Sequence, residues 1–291
     1  MRGPSRREIL ASAVWGTAAI AFGVRGRAAY AAPAPATATV RRRVGDLTKE
    51  QWEAFVRAVR ALKTRGTYDA LVTAYMEQFA ATHANGFFLP WQRRYLLHFE
   101  RELQRIDPAV SVPYWDWTRD SRAPQRSAVL SKAYFGGNGS AKHDQAVVDG
   151  AFAGWTAKIP RPHPLRRSYA DGGKISAWAS PDLIVNMLKT PDFQVFNMQM
   201  EVHIGTVQMG IGGDLALPSA PNDPLYWVIA CFGDLLWHMW RSRHPGAPIR
   251  SAYGNVTEAS RLPRYGAETV ASVLDVEKLG YRYDGVWPRT R

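Results

Sequence analysis

His83-Ala84-Asn85-Gly86-Phe87-Phe88-Leu89-Pro90-Trp91-Gln92-Arg93-Arg94-Tyr95-Leu96-Leu97 is the stretch on which the fold turns. Pro90 suits the first turn of a helix, where its missing N–H would have no partner in any case, and Trp91, Tyr95, Leu96, Phe99 and Leu103 then recur as one apolar face. His83 stands nine residues before Gln92, upstream of that helix. Before it, Thr48-Lys49-Glu50-Gln51 has the form of a capping box, and Trp52, Phe55, Val56, Val59 and Leu62 follow at helical spacing until Gly66. The pattern predicts a second helix over 68–81, with Leu71, Val72, Tyr75 and Phe79 on one side, and two later helices over 193–205 and 224–241. Residues 118–180 and 206–222, rich in Gly, Pro, Ser and charge, are expected to be mostly loop.

The chain has 291 residues, 46% of them hydrophobic, enough for one substantial core and with no shift of composition that would divide it. Ser5-Arg6-Arg7-Glu8-Ile9-Leu10 reads as a twin-arginine signal, followed by an apolar run to Val24 and a small-residue site around Ala29-Tyr30-Ala31. The expected organisation is a signal peptide over 1–31, a Pro/Ala-rich linker over 32–44, a folded domain over 45–285 and a tail over 286–291. Export through the twin-arginine machinery to a secreted or cell-envelope location is expected, and the apolar run is too short for a stable membrane span, so an integral membrane protein is not. Loss of 1–31 removes five arginines and one glutamate, lowering the net charge from +12 by 4 to +8. The remaining cations are scattered singly or in short runs such as 41–43, without the clustered stripe of a nucleic-acid groove, so no nucleic-acid partner is expected. Cys231 is the only cysteine, so no internal disulfide is possible.

The His83–Leu97 stretch closely resembles the first copper-binding segment of the tyrosinase and catechol oxidase family, whose type 3 site holds two copper ions on six histidines carried by four helices. Further blocks match in order: Val112-Pro113-Tyr114-Trp115-Asp116-Trp117, Val148-Asp149-Gly150-Ala151-Phe152, Asn222-Asp223-Pro224, Asp234-Leu235-Leu236-Trp237 and Lys278-Leu279-Gly280-Tyr281. The resemblance implies a mainly α fold with a four-helix bundle core of the tyrosinase type and long loops. It also places the six ligand positions. The first, after the Tyr68 to Thr73 run, falls on Tyr75; the second on His83; the third on Gln92. In the second segment, a His-x3-His pattern falls on Gln199 and His203, and the final ligand, after Asn222-Asp223-Pro224, falls on Ile229 or Ala230. Two histidines of six remain, one for each copper.

Residues four apart share a helix face, so Gln199 and His203 are expected to project together into the core, with Glu201, about 200° round, facing away. Copper prefers imidazole nitrogen to the amide oxygen of glutamine or the hydroxyl of tyrosine. The expectation is therefore no bound cofactor, metal ligands none, and loss of ordinary phenol oxidase activity. A core that had only lost its metal could have filled the slots with Leu or Phe, whereas Tyr75, Gln92 and Gln199 are polar. Three readings follow. The first is a copper-independent enzyme in which His83 and His203 act as acid and base, while Tyr75, Gln92, Gln199, Ile229 and Ala230 shape a site for a phenolic or other small-molecule substrate, as in natural-product tailoring. The second is a metal-dependent phenol or catechol oxidoreductase with an unusual metal site. The third is a non-catalytic binding or assembly protein that keeps the bundle as a scaffold. Asp234 resembles a carboxylate that orients a ligand histidine; without that histidine it is read as a helix cap or a salt-bridge partner.

Overall fold

In the computed structural model, residues 38–285, 287 and 288 are described. The expected signal peptide and most of the expected linker lie outside the described residues. The described chain runs from strand β1 (Thr39–Arg41) through helices α1 (Lys49–Thr64), α2 (Thr67–Thr82) and α3 (Phe88–Gln104). A long irregular segment follows, with two two-residue strands, β2 (Thr156–Ala157) and β3 (His163–Pro164), before α4 (Pro181–Met187), α5 (Phe193–Ile211), α6 (Leu225–Arg243) and strand β4 (Tyr281–Tyr283). The expected mainly α class with a helical core is what the chain adopts.

Local chemistry sets the helix ends. Thr48 accepts from the Gln51 N–H while the Gln51 side chain accepts from the Thr48 N–H, so the capping box forms as expected. Gly66, at φ +77°, makes the left-handed turn that lets α1 and α2 follow each other almost without a loop. α6 is buried along nearly its whole length, and Phe99 of α3 stacks on Trp227 of α6 with ring centroids 3.7 Å apart.

Two boundaries differ from expectation. The end of the expected linker is β1, which pairs in parallel with β4, so Arg41 is fully buried and belongs to the core. The expected tail also begins inside the fold: Trp287 is 2% exposed and its indole N–H donates to Asp116 at 2.9 Å. In both cases tertiary pairing ordered a segment whose composition reads as unstructured. α5 likewise runs to Ile211, six residues past its expected end, because Val207 and Ile211 extend the buried stripe through a region whose glycines read as loop.

Beneath the bundle lies a buried charge network. The Arg41 guanidinium pairs with Glu100 at 2.8 Å and with Asp234 at 3.0 Å, and Arg93 pairs with the other oxygen of Asp234 at 2.5 Å. The hydroxyls of Tyr281 and Tyr283 donate to Asp234 at 2.6 and 2.5 Å. Burial alone would raise the Asp234 carboxyl, but the two guanidinium groups and the two hydroxyls outweigh it and hold it below the usual carboxylate range. Asp234 is thus a salt-bridge partner in mid-helix, tying β1, α3, α6 and β4 together.

Candidate functional site

His83 is the C-cap of α2, extended at φ −103° and ψ 155°, with its ring turned back along the helix. Nδ1 lies 3.0 Å from the Phe79 carbonyl oxygen, which can only accept, so Nδ1 carries the proton and Nε2 is left as the acceptor for the Tyr75 hydroxyl at 2.9 Å. The imidazole stacks on Phe79 with centroids 4.0 Å apart. Burial lowers its pKa to about 4, the carbonyl contact opposing this only in part, so the ring is neutral at pH 7. Asn85 holds the following turn by accepting from the Phe87 N–H at 2.8 Å and donating to the Ala81 carbonyl.

Tyr75, on the inner face of α2, is buried against Tyr95, Trp91 and Tyr226. Burial raises its phenol well above the usual range. Gln92, one turn into α3, accepts from the Tyr226 hydroxyl at 2.5 Å through Oε1. The structure thus places the Tyr75 hydroxyl on His83 and Gln92 on Tyr226, whose ring packs edge-on against Tyr75 and which sequence reading missed. Ile229 is fully buried in α6, and Ala230 faces the bundle interior.

The second segment requires a correction. The buried residues of α5 are Phe193, Phe196, Asn197, Met200, Ile204, Val207 and Ile211, so the inward pair four residues apart is Met200 and Ile204, not Gln199 and His203. Ile204 and Met200 reach α6 at Gly233, where an added Cβ would meet Ile204 Cδ1 at 2.7 Å and Met200 Cε at 3.8 Å. Gln199 turns to the flank, where the Thr190 hydroxyl lies 3.5 Å from its Oε1. His203 is half-buried, its pKa lowered by burial, and among the described residues no hydrogen bond or ring contact joins it to His83. Glu201, on the other flank, accepts from the Ala84 N–H at 2.8 Å and so clasps the turn beside His83 instead of facing away. The apolar repeat through Ile204 was the signal that could have given this register, because burial follows the continuous stripe, and His203, 100° round from Ile204, stands at the edge of that stripe.

Between the helices lies a cavity of about 10 Å³, lined by Leu89, Gln92, Arg93, Ile204, Tyr226 and Ala230 on three helices, with Gly233 and Asp234 behind. That is room for roughly one water molecule.

The common central domain of tyrosinase matches residues 63–243. A tyrosinase from Streptomyces antibioticus is 32% identical over 275 residues, spanning 84% of this chain and 99% of that protein. Grixazone synthase from Streptomyces griseus is 30% identical over 259 residues, spanning 69% and 84%. Among solved structures, a tyrosinase from Burkholderia thailandensis aligns with a TM-score of 0.63 at 17% identity over 86% of this chain and 74% of that one. A functional unit of octopus hemocyanin aligns at 0.54 and 18% identity over 85% and 68%.

These relatives correct the expectation of no cofactor. The proteins matched are tyrosinases, a grixazone synthase and a hemocyanin unit, and copper is what membership of the tyrosinase family implies for this chain. The interior side chains, however, do not fit a type 3 centre. Tyr75, Gln92, Ile204 and Ala230 offer no imidazole, and both ring nitrogens of His83 are engaged within the protein. Among the described residues no group of three or more His, Cys, Asp or Glu side chains could hold a metal ion.

Proposed function

The chain belongs to the tyrosinase family, and from that premise we propose that its bundle interior serves as a closed structural core, leaving a binding or assembly role carried by the outside of the bundle. The observation that carries this reading is the way the interior is filled. Tyr75 is spent on His83 and Tyr226 on Gln92, while Ile204 and Ala230 close the remaining wall around about 10 Å³. Acid and base chemistry by His83 and His203 is not supported, since the first has no free nitrogen and the second faces another flank.

A second reading, copper-dependent oxidation of a phenol or catechol, is favoured by one observation: relatives named as enzymes match over most of both chains. One experiment decides between them. Protein folded in copper-supplemented medium is assayed for metal content and catechol turnover, and turnover at the level of buffer is expected. Two tightly held coppers per chain together with sustained quinone formation would overturn the closed-core reading and establish the second. Twin-arginine export to a secreted or envelope location is part of the proposal, supported by the Ser5 to Leu10 motif. Replacing Arg6 and Arg7 with Lys should leave the protein in the cytoplasmic fraction; unchanged export would overturn it.

A further inference from the structure

Outside the bundle the chain forms a cleft of about 750 Å³, within the range of small-molecule sites. One wall is a run of i to i+3 bonded turns: the N–H of Ser121 donates to Thr118, that of Ala123 to Asp120 and that of Arg126 to Ala123. At three residues per turn, Arg119 and Arg122 come to the same side, and Arg126 lies four residues further along the same wall. All three line the cleft, all three are exposed, and none has an ion-pair partner within 4.0 Å among the described residues, although the Arg119 charge acts on Asp116 at longer range.

The acids nearby are differently placed. Asp116, buried on the floor, accepts from the Thr118 hydroxyl at 2.5 Å and from the Trp287 indole at 2.9 Å. Asp120 accepts from the Trp115 indole at 3.3 Å and the Ser127 hydroxyl at 2.5 Å through one oxygen. Neutral donors hold these two carboxylates on the protein side of the cleft, and the Arg119 charge also acts on buried Asp116, opposing the rise that burial imposes on its carboxyl; Asp182, exposed on the facing wall, is the third acid lining the cleft.

We propose that this cleft is a binding site for a small molecule bearing two or more oxyanion groups, phosphate or carboxylate, held by Arg119, Arg122 and Arg126. Guanidinium groups pair such oxyanions in bidentate geometry, and a concave site with a buried floor excludes more water than a flat surface would. The proposal stands apart from what the bundle interior does, since no residue of the cleft lines the interior cavity.

The test is calorimetric titration of the full folded protein with pyrophosphate and, separately, with citrate, at low ionic strength. Saturable binding of at least one probe is expected, weakened at least tenfold in the triple variant R119Q/R122Q/R126Q. The charge-matched triple K49Q/R57Q/R65Q on and just after α1 should bind within twofold of the parent. Tighter pyrophosphate assigns the site to phosphate esters, and tighter citrate to polycarboxylates. Absence of saturable binding, an unchanged R119Q/R122Q/R126Q variant, or equal weakening in the α1 triple, which would reduce the effect to net charge, each overturns the proposal. The replaced arginines are exposed and form no ion pair within 4.0 Å, while Arg119 acts on Asp116 at longer range, so the melt of the variant beside that of the parent is the control for folding.

Discussion

In the bundle interior the hydroxyl of Tyr75 ends on His83, that of Tyr226 ends on Gln92, and both guanidinium groups nearby end on Asp234. In the cleft beside residues 119–126, three exposed guanidinium groups of the same chain form no ion pair within 4.0 Å among the described residues, and Arg119 acts on the Asp116 carboxylate only at longer range. The difference in free volume is of the same kind, about 10 Å³ against about 750 Å³. A region whose polar groups are mutually satisfied and whose space is filled is organised for stability. A region with open space and uncommitted charge is organised to meet something else. For a family whose chemistry lies inside the bundle, this contrast moves attention to the outside.

The sharpest way to break the comparison is to remove a partner where everything is paired. Asp234→Ala strands the buried Arg41 and Arg93 guanidinium groups and should cost about 3–5 kcal/mol, read from denaturant unfolding. A cost near zero would mean that the network is wet and the interior is not closed. Next, Ile204→Ala should cost about 2–4 kcal/mol by opening a cavity against Gly233, whereas His203→Ala should stay within about 0.5 kcal/mol. The opposite ranking would restore His203 to the inward face.

A third measurement uses pH. The folded His83 is held neutral down to about pH 4, whereas the unfolded imidazole protonates near its ordinary value of about 6.5. Between those values the unfolded state binds more protons, so stability falls as pH drops from about 6.5 to 4 and levels off below, by up to about 2–3 kcal/mol from this group. His83→Gln should flatten that slope, and a slope that persists unchanged would assign it to other groups. The smallest effect belongs to the cleft: Arg122→Gln should change the unfolding free energy by less than about 0.5 kcal/mol, because that side chain is exposed and unpaired. A loss above about 1 kcal/mol would show that the cleft wall is structural.

Much of the molecule was legible before any coordinate. The capping box at Thr48, the helical spacing from Trp91 to Leu103 and the ordered family blocks determined the helices and the family, because those signals are local: they depend on hydrogen bonds and apolar periodicity within a few turns. The clustering of Tyr75, His83 and Gln92 was readable for the same reason, since all three lie in or beside consecutive helices. Tertiary structure alone decided the rest. A motif of two residues four apart fits either flank of α5, and only packing against Gly233 of α6 selected Ile204 over His203. Likewise no local rule places Arg41 in the core, because its burial depends on Glu100, Asp234 and the tyrosines of β4, brought together from four distant parts of the chain. Whether the interior is open or filled is a sum of side-chain volumes contributed by several helices at once, and such a sum exists only after the chain has folded.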